Sequence, residues 1–166
     1  MSIDILRKLG AFVLIVLIQA TVLDHIRLFG CATPLLYVYF ALLFPLSYPR
    51  WAVVVWCFAI GLSVDIFANT PGLAASSMTL MGFLQPYLFG MFIPRDADEE
   101  FKPSLHSLGF SKFFYYTTMM VLLHNLVFFS LEWFSFFDVL SWALDVLGST
   151  VITIALILII EHYRKR

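Results

Sequence analysis

A long apolar run ends in the polar stretch Gly61-Leu-Ser-Val-Asp65-Ile-Phe-Ala-Asn69-Thr-Pro-Gly72. Residues 51–67 have the composition of a membrane-spanning helix, yet the run contains a carboxylate, Asp65, close to its end. A charged side chain in a membrane helix costs about 2.5–3.5 kcal/mol at the helix centre on insertion scales, and less near the surface. We therefore predict that polar partners or water hold Asp65. Two roles stay open for it: a functional site, or an anchor for the turn at 69–72.

The composition points to a lipid bilayer as the natural solvent. Of the 166 residues, 61% are hydrophobic and 13% are charged, whereas soluble domains average about 45–50% and about 25%. A soluble domain of this size has too much surface for its volume to bury so many apolar side chains. The net charge of −1 argues against a nucleic-acid partner. Cys31 and Cys57 are predicted near opposite membrane faces and lack metal-binding spacing, so we expect no disulfide, metal site or cofactor.

Six apolar segments predict an all-α membrane protein, a bundle of six transmembrane helices in a single domain over residues 1–166. The segments are 9–23, 34–47, 51–67, 73–93, 113–131 and 139–160. Several are shorter than the roughly 20 residues that a helix needs to cross the hydrocarbon core. Flanking residues or local thinning of the bilayer must supply the difference. The longest connection, 94–111, is rich in carboxylates, and we expect it to be solvated.

The basic residues predict the orientation of the bundle. A cytoplasmic N-terminus places nine of the ten Lys and Arg residues on the cytoplasmic side and leaves only Arg27 outside. Such an excess of positive charge in short cytoplasmic loops is the pattern of the positive-inside rule. Both termini are therefore predicted in the cytoplasm.

Three ionisable side chains are predicted at a similar depth in different helices. With a rise of 1.5 Å per residue, Asp65 lies roughly 21 Å, His124 about 18 Å and Asp145 about 24 Å above the cytoplasmic end of its helix. Asn69 and Asn125 fall at similar heights. Because polar groups in lipid bind one another or the backbone, we predict a polar cluster facing the bundle interior. The alternatives are an ordinary hydrogen bond between helices for His124, which we favour over a ligand role, and an interfacial position for Asp145.

The turn after Asp65 has the residues of a helix start. Thr70 and Pro71 predict an N-cap hydroxyl followed by a proline at the first helical position, where its missing N–H costs nothing. The free N–H groups of that helix start lie one turn from Asp65. We expect them to bind its carboxylate, together with His124 or Asn125.

A small and polar stripe marks one face of the same apolar run. Gly61, Asp65 and Asn69 recur every four residues, so they share one side of a helix. Small residues let helix backbones approach closely in a membrane. We therefore expect close packing here, with Gly72 opening the next helix after the turn.

A predicted kink lies near the middle of the fourth segment. Pro86 removes the N–H that would bind the Gly82 carbonyl, and it should bend the helix. The side chain of Gln85 could satisfy the freed carbonyl. A break in the helix that binds a substrate is the more specific interpretation. Because prolines are common in membrane helices, we favour a kink without a binding role.

Motifs of familiar enzymes are missing from the chain. The sequence has no HExxH, GxSxG, P-loop or GxGxxG motif, each of which would supply a metal, a nucleophile or a phosphate cradle. No helix carries a line of charges suited to ion conduction. We therefore predict that the protein is not an enzyme.

The polar stretch also carries a family resemblance. It reads Gly-Leu-x-x-Asp-x-Phe at the end of one helix, followed by x-x-x-Pro-Gly-Leu at the start of the next, with Gly61-Leu62, Asp65, Phe67 and Pro71-Gly72-Leu73 at the matching positions. With its length, its layout of spans and its cytoplasmic ends, the chain resembles the MreD family of bacterial rod shape-determining membrane proteins.

This resemblance implies a non-enzymatic scaffold in the bacterial cytoplasmic (inner) membrane. The family associates with MreC and helps to direct lateral peptidoglycan synthesis and cell shape in the cell-elongation complex. Through MreC it is linked to the class B penicillin-binding protein, to RodA and to MreB filaments. Whether the chain also forms homo-oligomers, which helices contact MreC and whether the polar cavity holds a ligand or lipid stay open at this point.

The resemblance also supplies an alternative function. The six-helix fold of the family is similar to that of the substrate-binding subunits of energy-coupling-factor vitamin transporters. Those subunits usually carry an Ala-x-x-x-Ala element on the first helix, but here Ala11 is followed by Ile15, and Ala20 is preceded by Val16. The outer loops are also short for a vitamin site, so we favour the scaffold.

Overall fold

The computed structural model describes residues 2–23, 32–45, 47–93, 101–133 and 138–164. These ranges form seven helices: α1 (Ser2–Thr21), α2 (Val38–Leu42), α3 (Arg50–Ala68), α4 (Leu73–Gly90), α5 (Leu105–Leu108), α6 (Phe110–Glu132) and α7 (Val139–Tyr163). The all-helical prediction is confirmed for this part of the chain. Cys31, Arg27 and the acidic residues of the 94–100 stretch lie outside the described residues.

Among the described residues, three helices are long and apolar enough to cross a membrane: α3, α6 and α7, with mean hydropathies of 2.0, 1.3 and 2.4. Only 33–39% of their most apolar stretches is buried inside the protein. On α3, for example, the large side chains Val55, Phe58, Leu62 and Ile66 are 41–70% exposed. They follow one another at intervals of three or four residues, so they form one outward face, as lipid contact requires.

The predicted second span, 34–47, differs most from expectation. Its only helix in the structure is the five-residue α2, so the prediction of a continuous helix there is wrong. Residues 35–42 are each at most 6% exposed, because the other helices surround them. We call residues 32–45 the central segment. Non-helical backbone at membrane depth is tolerated where protein buries it, and the prolines at both ends of the segment, Pro34 and Pro45, do not favour a continuous helix.

Two glutamines bind the backbone of the central segment. Gln19 of α1 donates from Nε2 to the Pro34 carbonyl (3.1 Å) and accepts the Leu36 N–H at Oε1 (2.9 Å). At the other end of the segment, Gln85 of α4 donates to the Phe44 carbonyl (3.2 Å). These side chains replace the hydrogen bonds that a helix would have made within itself.

The hydroxyl groups of α7 bind the same segment from a second side. Ser149 accepts the Thr33 N–H (3.0 Å), and Thr153 accepts the Leu35 N–H (3.0 Å). The step of two residues from Thr33 to Leu35 therefore spans the same distance as the step of four residues from Ser149 to Thr153 in α7. This corresponds to a rise of about 3 Å per residue in the central segment. The start of the central segment is extended and runs parallel to α7.

Helices α3 and α4 form an antiparallel hairpin with two close backbone approaches. A Cβ atom on Gly61 would lie 2.5 Å from the Ala74 carbonyl oxygen and 2.6 Å from the Ala75 Cα. A Cβ atom on Gly82 would lie 2.9 Å from the Cys57 Cβ. The predicted close packing at Gly61 is therefore made against the backbone of the next helix.

The Lys and Arg residues of the described ranges are sorted to one end of the bundle, where the acidic Glu161 also lies, paired with Arg164. This end holds the starts of α1, α3 and α6 and the ends of α4 and α7, and we call it the basic end. Its Lys and Arg residues are Arg7, Lys8, Arg50, Lys102, Lys112 and Arg164.

Tyrosines join the elements of this end. The Lys8 ammonium lies 3.4 Å from the Tyr48 ring centroid, and Arg164 donates to the Tyr39 hydroxyl (2.9 Å).

The opposite end, with Glu132, Asp138 and Asp145, is the acidic end. The central segment connects the two ends.

Candidate functional site

The Asp65 carboxylate caps the helix that follows it. Its Oδ1 accepts the Thr70 hydroxyl (2.7 Å) and the Ala74 N–H (2.9 Å), and its Oδ2 accepts the Ala75 N–H (2.8 Å). These amides belong to the first turn of α4, where N–H groups lack partners within the helix and the helix dipole is positive. Although Asp65 is only 4% exposed, each carboxylate oxygen has a donor. The predicted contact with the start of the fourth helix is present.

The turn between α3 and α4 uses two residues in left-handed conformations. Asn69 is exposed in this turn, so the prediction that it faces the bundle interior is wrong. Its φ is 56°, and the φ of Gly72 is 80°. Asparagine is among the few non-glycine residues that adopt this region readily. The prediction that Thr70 caps α4 and that Pro71 begins it is wrong, because Gly72 is the N-cap residue and α4 begins at Leu73. The capping oxygens come instead from Asp65, one helix earlier.

A second polar group links α4, α6 and α7 through buried side chains. The Nε2 atom of His124 lies 3.2 Å from Ser77 Oγ, and its Nδ1 atom lies 3.3 Å from Asn125 Oδ1. Asn125 donates from Nδ2 to Thr150 Oγ1 (2.9 Å). The prediction that His124 or Asn125 binds Asp65 is wrong. In the described contacts, Asp65 with its donors and the group around His124 have no bond to each other, and each bonds to the first turns of α4. His124 has the arrangement of a hydrogen bond between helices.

Ser77, His124 and Asn125 have the connectivity of a hydrolase triad, in which a base joins a nucleophile to an orienting group. Two features argue against that use. Ser77 and His124 are fully buried, whereas a nucleophile has to meet its substrate. The Ser77 hydroxyl also lies 2.8 Å from the Leu73 carbonyl, and its one proton serves a single acceptor at a time. The chain of contacts suits a structural bond across the bundle.

Asp145 holds the acidic end of α7 to that of α6. The Trp133 Nε1–H donates to Asp145 Oδ2 (3.1 Å). At the start of α7, Asp138 accepts the Ser141 hydroxyl (2.5 Å) and N–H (3.2 Å). These hydrogen bonds lower the pKa of the Asp138 carboxyl, because they favour its charged form. Asp145 therefore contacts Trp133 at the ends of α6 and α7, and it does not belong to the buried group of side chains around His124.

The predicted kink residues serve in helix packing. Helix α4 is unbroken from Leu73 to Gly90 with Pro86 inside it, so a break in the helix is not observed at this point. Gln85 is directed to the Phe44 carbonyl of the central segment. Gly82 lies against α3. The three residues join α4 to its neighbours on two sides.

A cavity of about 270 Å³ opens beside the Asp65 cap at the acidic end. Thr70 and Ala74, which both bind Asp65, form part of its wall. Its other lining residues come from the end of α1, the start of the central segment, the end of α3 and the end of α6. They are Ala20, Thr33, Leu35, Tyr37, Val64, Phe67, Ala68, Phe128, Phe129 and Glu132.

Sequence reasoning missed the residues that bind the central segment. Ser149 and Thr153 are hydroxyl residues four apart in an otherwise apolar helix, and Gln19 is an amide in another. Polar residues within apolar helices face the bundle interior as a rule, so this signal could have found them. Nothing in the sequence pairs them with the central segment, since the partners are 15 to 118 residues apart.

Comparisons of the chain with protein-family models, with curated proteins and with solved structures find no match. Among the described residues, no group of three or more His, Cys, Asp or Glu side chains is placed to hold a metal ion.

Proposed function

We propose that this chain is a non-enzymatic integral membrane scaffold of the MreD type. In this proposal it crosses the bacterial cytoplasmic (inner) membrane six times, by α1, the central segment, α3, α4, α6 and α7. The basic end faces the cytoplasm, which the sorting of Lys and Arg to that end supports. Both termini are then cytoplasmic, and the acidic end with the Asp65 cap lies at the outer face.

The single observation that carries the proposal is how the motif residues are used. Gly61 allows α4 to touch α3, Asp65 caps α4, and Gly72 supplies the left-handed residue at the helix start. The motif therefore makes one rigid hairpin with a capped turn at the acidic end. A turn that is already ordered suits partner binding, because less conformational entropy is lost when the partner binds.

The partner in this proposal is MreC, a single-span protein with a large periplasmic region. Through MreC the scaffold acts on the class B penicillin-binding protein, RodA and MreB, and so on lateral peptidoglycan synthesis and cell shape. A buried set of polar side chains that satisfy one another supports a structural role, since such networks fix one arrangement of the helices.

A specific observation favours the alternative, a substrate-binding subunit of an energy-coupling-factor type vitamin transporter. The cavity beside Asp65 opens at the end that faces outward in the proposed orientation. Its volume of about 270 Å³ falls just below the roughly 300–1,000 Å³ of sites for drug-sized ligands.

The test is depletion of the protein in its host, followed by complementation. We expect depleted cells to lose rod shape or to lyse, without a requirement for any vitamin, and tagged protein to co-purify with untagged MreC. A nutritional requirement that one metabolite rescues would establish the transporter instead.

The Ser77→Ala variant tests the absence of enzyme chemistry in the same cells. Because Ser77 also bonds to His124 inside the bundle, the comparison is made at matched membrane abundance, where Ser77→Ala should restore rod shape, since its hydroxyl makes no step of a reaction in this proposal. Loss of shape at normal protein abundance would favour a hydrolase.

A further inference from the structure

Two basic side chains near the start of α3 are held against aromatic rings. The Lys8 ammonium lies 3.4 Å from the Tyr48 ring centroid and 5.4 Å from that of Phe44. The Arg50 guanidinium lies 5.2 Å from the Tyr87 ring centroid, and it donates a long hydrogen bond (3.4 Å) to the hydroxyl of the same side chain. A ring face attracts a cation through its quadrupole. Both charges are therefore positioned before any ligand arrives.

The two cations lie at a similar depth in neighbouring helices. Helices α1 and α3 both begin at the basic end, and Phe12 of α1 contacts Trp56 of α3 at 6.0 Å between ring centroids. Lys8 precedes Phe12 by four residues, which is about 6 Å along the helix axis. Arg50 precedes Trp56 by six residues, which is about 9 Å. The two Cα atoms thus differ by about 3 Å in depth, and we call Lys8 and Arg50 the basic pair.

The basic pair keeps hydrogen-bond donors for a ligand. Within the part of the chain that the structure describes, neither cation has an ion pair, whereas Arg164 is paired with Glu161. An ammonium has three N–H donors and a guanidinium has five. The Tyr87 hydroxyl accepts from one donor of Arg50, so its own proton is also available. Two positive charges and several donors can therefore meet an anionic ligand.

We propose that the basic pair binds the phosphate group of an anionic phospholipid. Lys and Arg side chains make strong charge-assisted hydrogen bonds to phosphate oxygens. The residues that follow the two cations, Leu9 and Trp51, are 46% and 72% exposed. Apolar surface for acyl chains therefore begins next to the headgroup position, which favours a lipid over free phosphate. This inference goes beyond the proposed scaffold role, and it does not depend on MreC.

The basic pair differs from other Lys and Arg residues of the basic end. Arg7 and Lys112 are exposed, and in the described contacts neither side chain lies over a ring or makes a hydrogen bond. A general excess of positive charge attracts anionic lipids whatever its detailed geometry, whereas rings fix the positions of the basic pair. Comparison of the two kinds of residue therefore separates a built site from net charge.

The experiment measures lipid retention by the full chain. Native mass spectrometry is applied to protein released from nanodiscs with equal amounts of phosphatidylglycerol, which is anionic, and phosphatidylcholine, which is zwitterionic. Lys8→Gln is compared with Lys112→Gln, and Arg50→Gln with Arg7→Gln, so that both members of a pair lose one charge from the same end. We expect the wild type to prefer phosphatidylglycerol. The first member of each pair should retain it about tenfold less than the second, which is the loss of one hydrogen bond to a charged group.

Variants of Tyr48 test the held geometry at constant charge. Tyr48→Phe keeps the ring face beside the Lys8 ammonium, and it should retain phosphatidylglycerol as the wild type does. Tyr48→Leu removes the ring, and we expect it to retain less of this lipid. Lys8→Arg keeps the charge, and since a guanidinium also stacks on aromatic faces, it should retain the lipid. Thermal unfolding in detergent is measured for each variant, so that retention is compared between folded proteins.

Three outcomes would overturn the inference. They are equal retention of the two lipids by the wild type, equal retention of phosphatidylglycerol by the two members of each pair, and equal retention by Tyr48→Phe and Tyr48→Leu. Titration with inorganic phosphate in detergent tests the other source of the same chemistry, and saturable phosphate binding without lipid preference would also overturn the lipid assignment. Because the assays contain no MreC, failure of the scaffold proposal leaves their results unchanged.

Discussion

At the scale of single residues, Asp65 combines a position near the end of an apolar helix with hydrogen bonds to both carboxylate oxygens. Its two oxygens meet one hydroxyl and two amide donors from residues five to ten positions later in the chain. This contact could be predicted from the sequence because all partners are local. The first residue of α4 could not be predicted from the sequence. Pro71 is typical of a helix start, and nothing in the sequence shows that Gly72 adopts a left-handed conformation there instead.

Asp65 gives the first prediction, an order of stability among three proteins. Asp65→Ala leaves the Thr70, Ala74 and Ala75 donors without their acceptor, at about 1–3 kcal/mol for each donor that water does not reach. Asp65→Asn keeps one acceptor oxygen. We expect thermal unfolding temperature in detergent, and abundance in membranes, to fall in the order wild type, Asn, Ala.

Asp138→Asn is the control for loss of a carboxylate, and it should match the wild type. Equal abundance of the Asp65 Ala, Asn and wild-type proteins would refute the architectural role. Normal abundance with lost MreC co-purification would make the site a direct contact surface.

The second prediction concerns Gly61. A methyl group there would lie within 2.6 Å of backbone atoms of Ala74 and Ala75, which cannot rotate away. We expect Gly61→Ala to lower stability by about 1–3 kcal/mol, as overpacking does, measured by thermal unfolding in detergent. Gly10→Ala is the matched control, because the space around Gly10 is open for 4 Å and alanine favours a helix. A Gly61→Ala protein as stable as the control would contradict the close approach.

At the scale of elements, the central segment shows which features a hydrophobic sequence pattern predicts and which it does not. A short apolar run is consistent with a helix or with a buried extended stretch, and periodicity alone does not distinguish them. The run at 34–47 therefore predicts a helix as readily as an extended stretch, and the structure has a helix there only at α2. The four longer helical runs after it were predicted correctly in type, because their length decides the matter. What fixes the central segment is the set of side chains on α1, α4 and α7.

The third prediction tests that set. Thr153→Val keeps the shape of the side chain but removes the acceptor of the Leu35 N–H, and an unpaired buried N–H costs about 1–3 kcal/mol. Thr79→Val is the matched control, since the Thr79 hydroxyl bonds only to the Ala75 carbonyl of its own helix among the described contacts. Hydrogen exchange in detergent should show faster exchange of the central segment in Thr153→Val alone. Slow exchange in both variants would show that α7 does not hold the segment.

At the scale of the whole molecule, the sorting of charge gives the fourth prediction. In a Cys31→Ser background, a cysteine at Val139 should react with an impermeant thiol reagent from outside intact cells. A cysteine at Ser47 should react only after the cells are opened. Both positions are exposed, while the native Cys57 is fully buried and should stay unlabelled. The opposite labelling pattern would reverse the orientation and place the cavity in the cytoplasm.

The extended start of the central segment also sets an order for synthesis. Its N–H groups at positions 33 and 35 find their acceptors 116 and 118 residues later in the chain. A ribosome therefore completes the central segment before the α7 hydroxyls that bind it exist. Until α7 is made and packs, these two N–H groups lack their acceptors, so we expect the core around the central segment to close last.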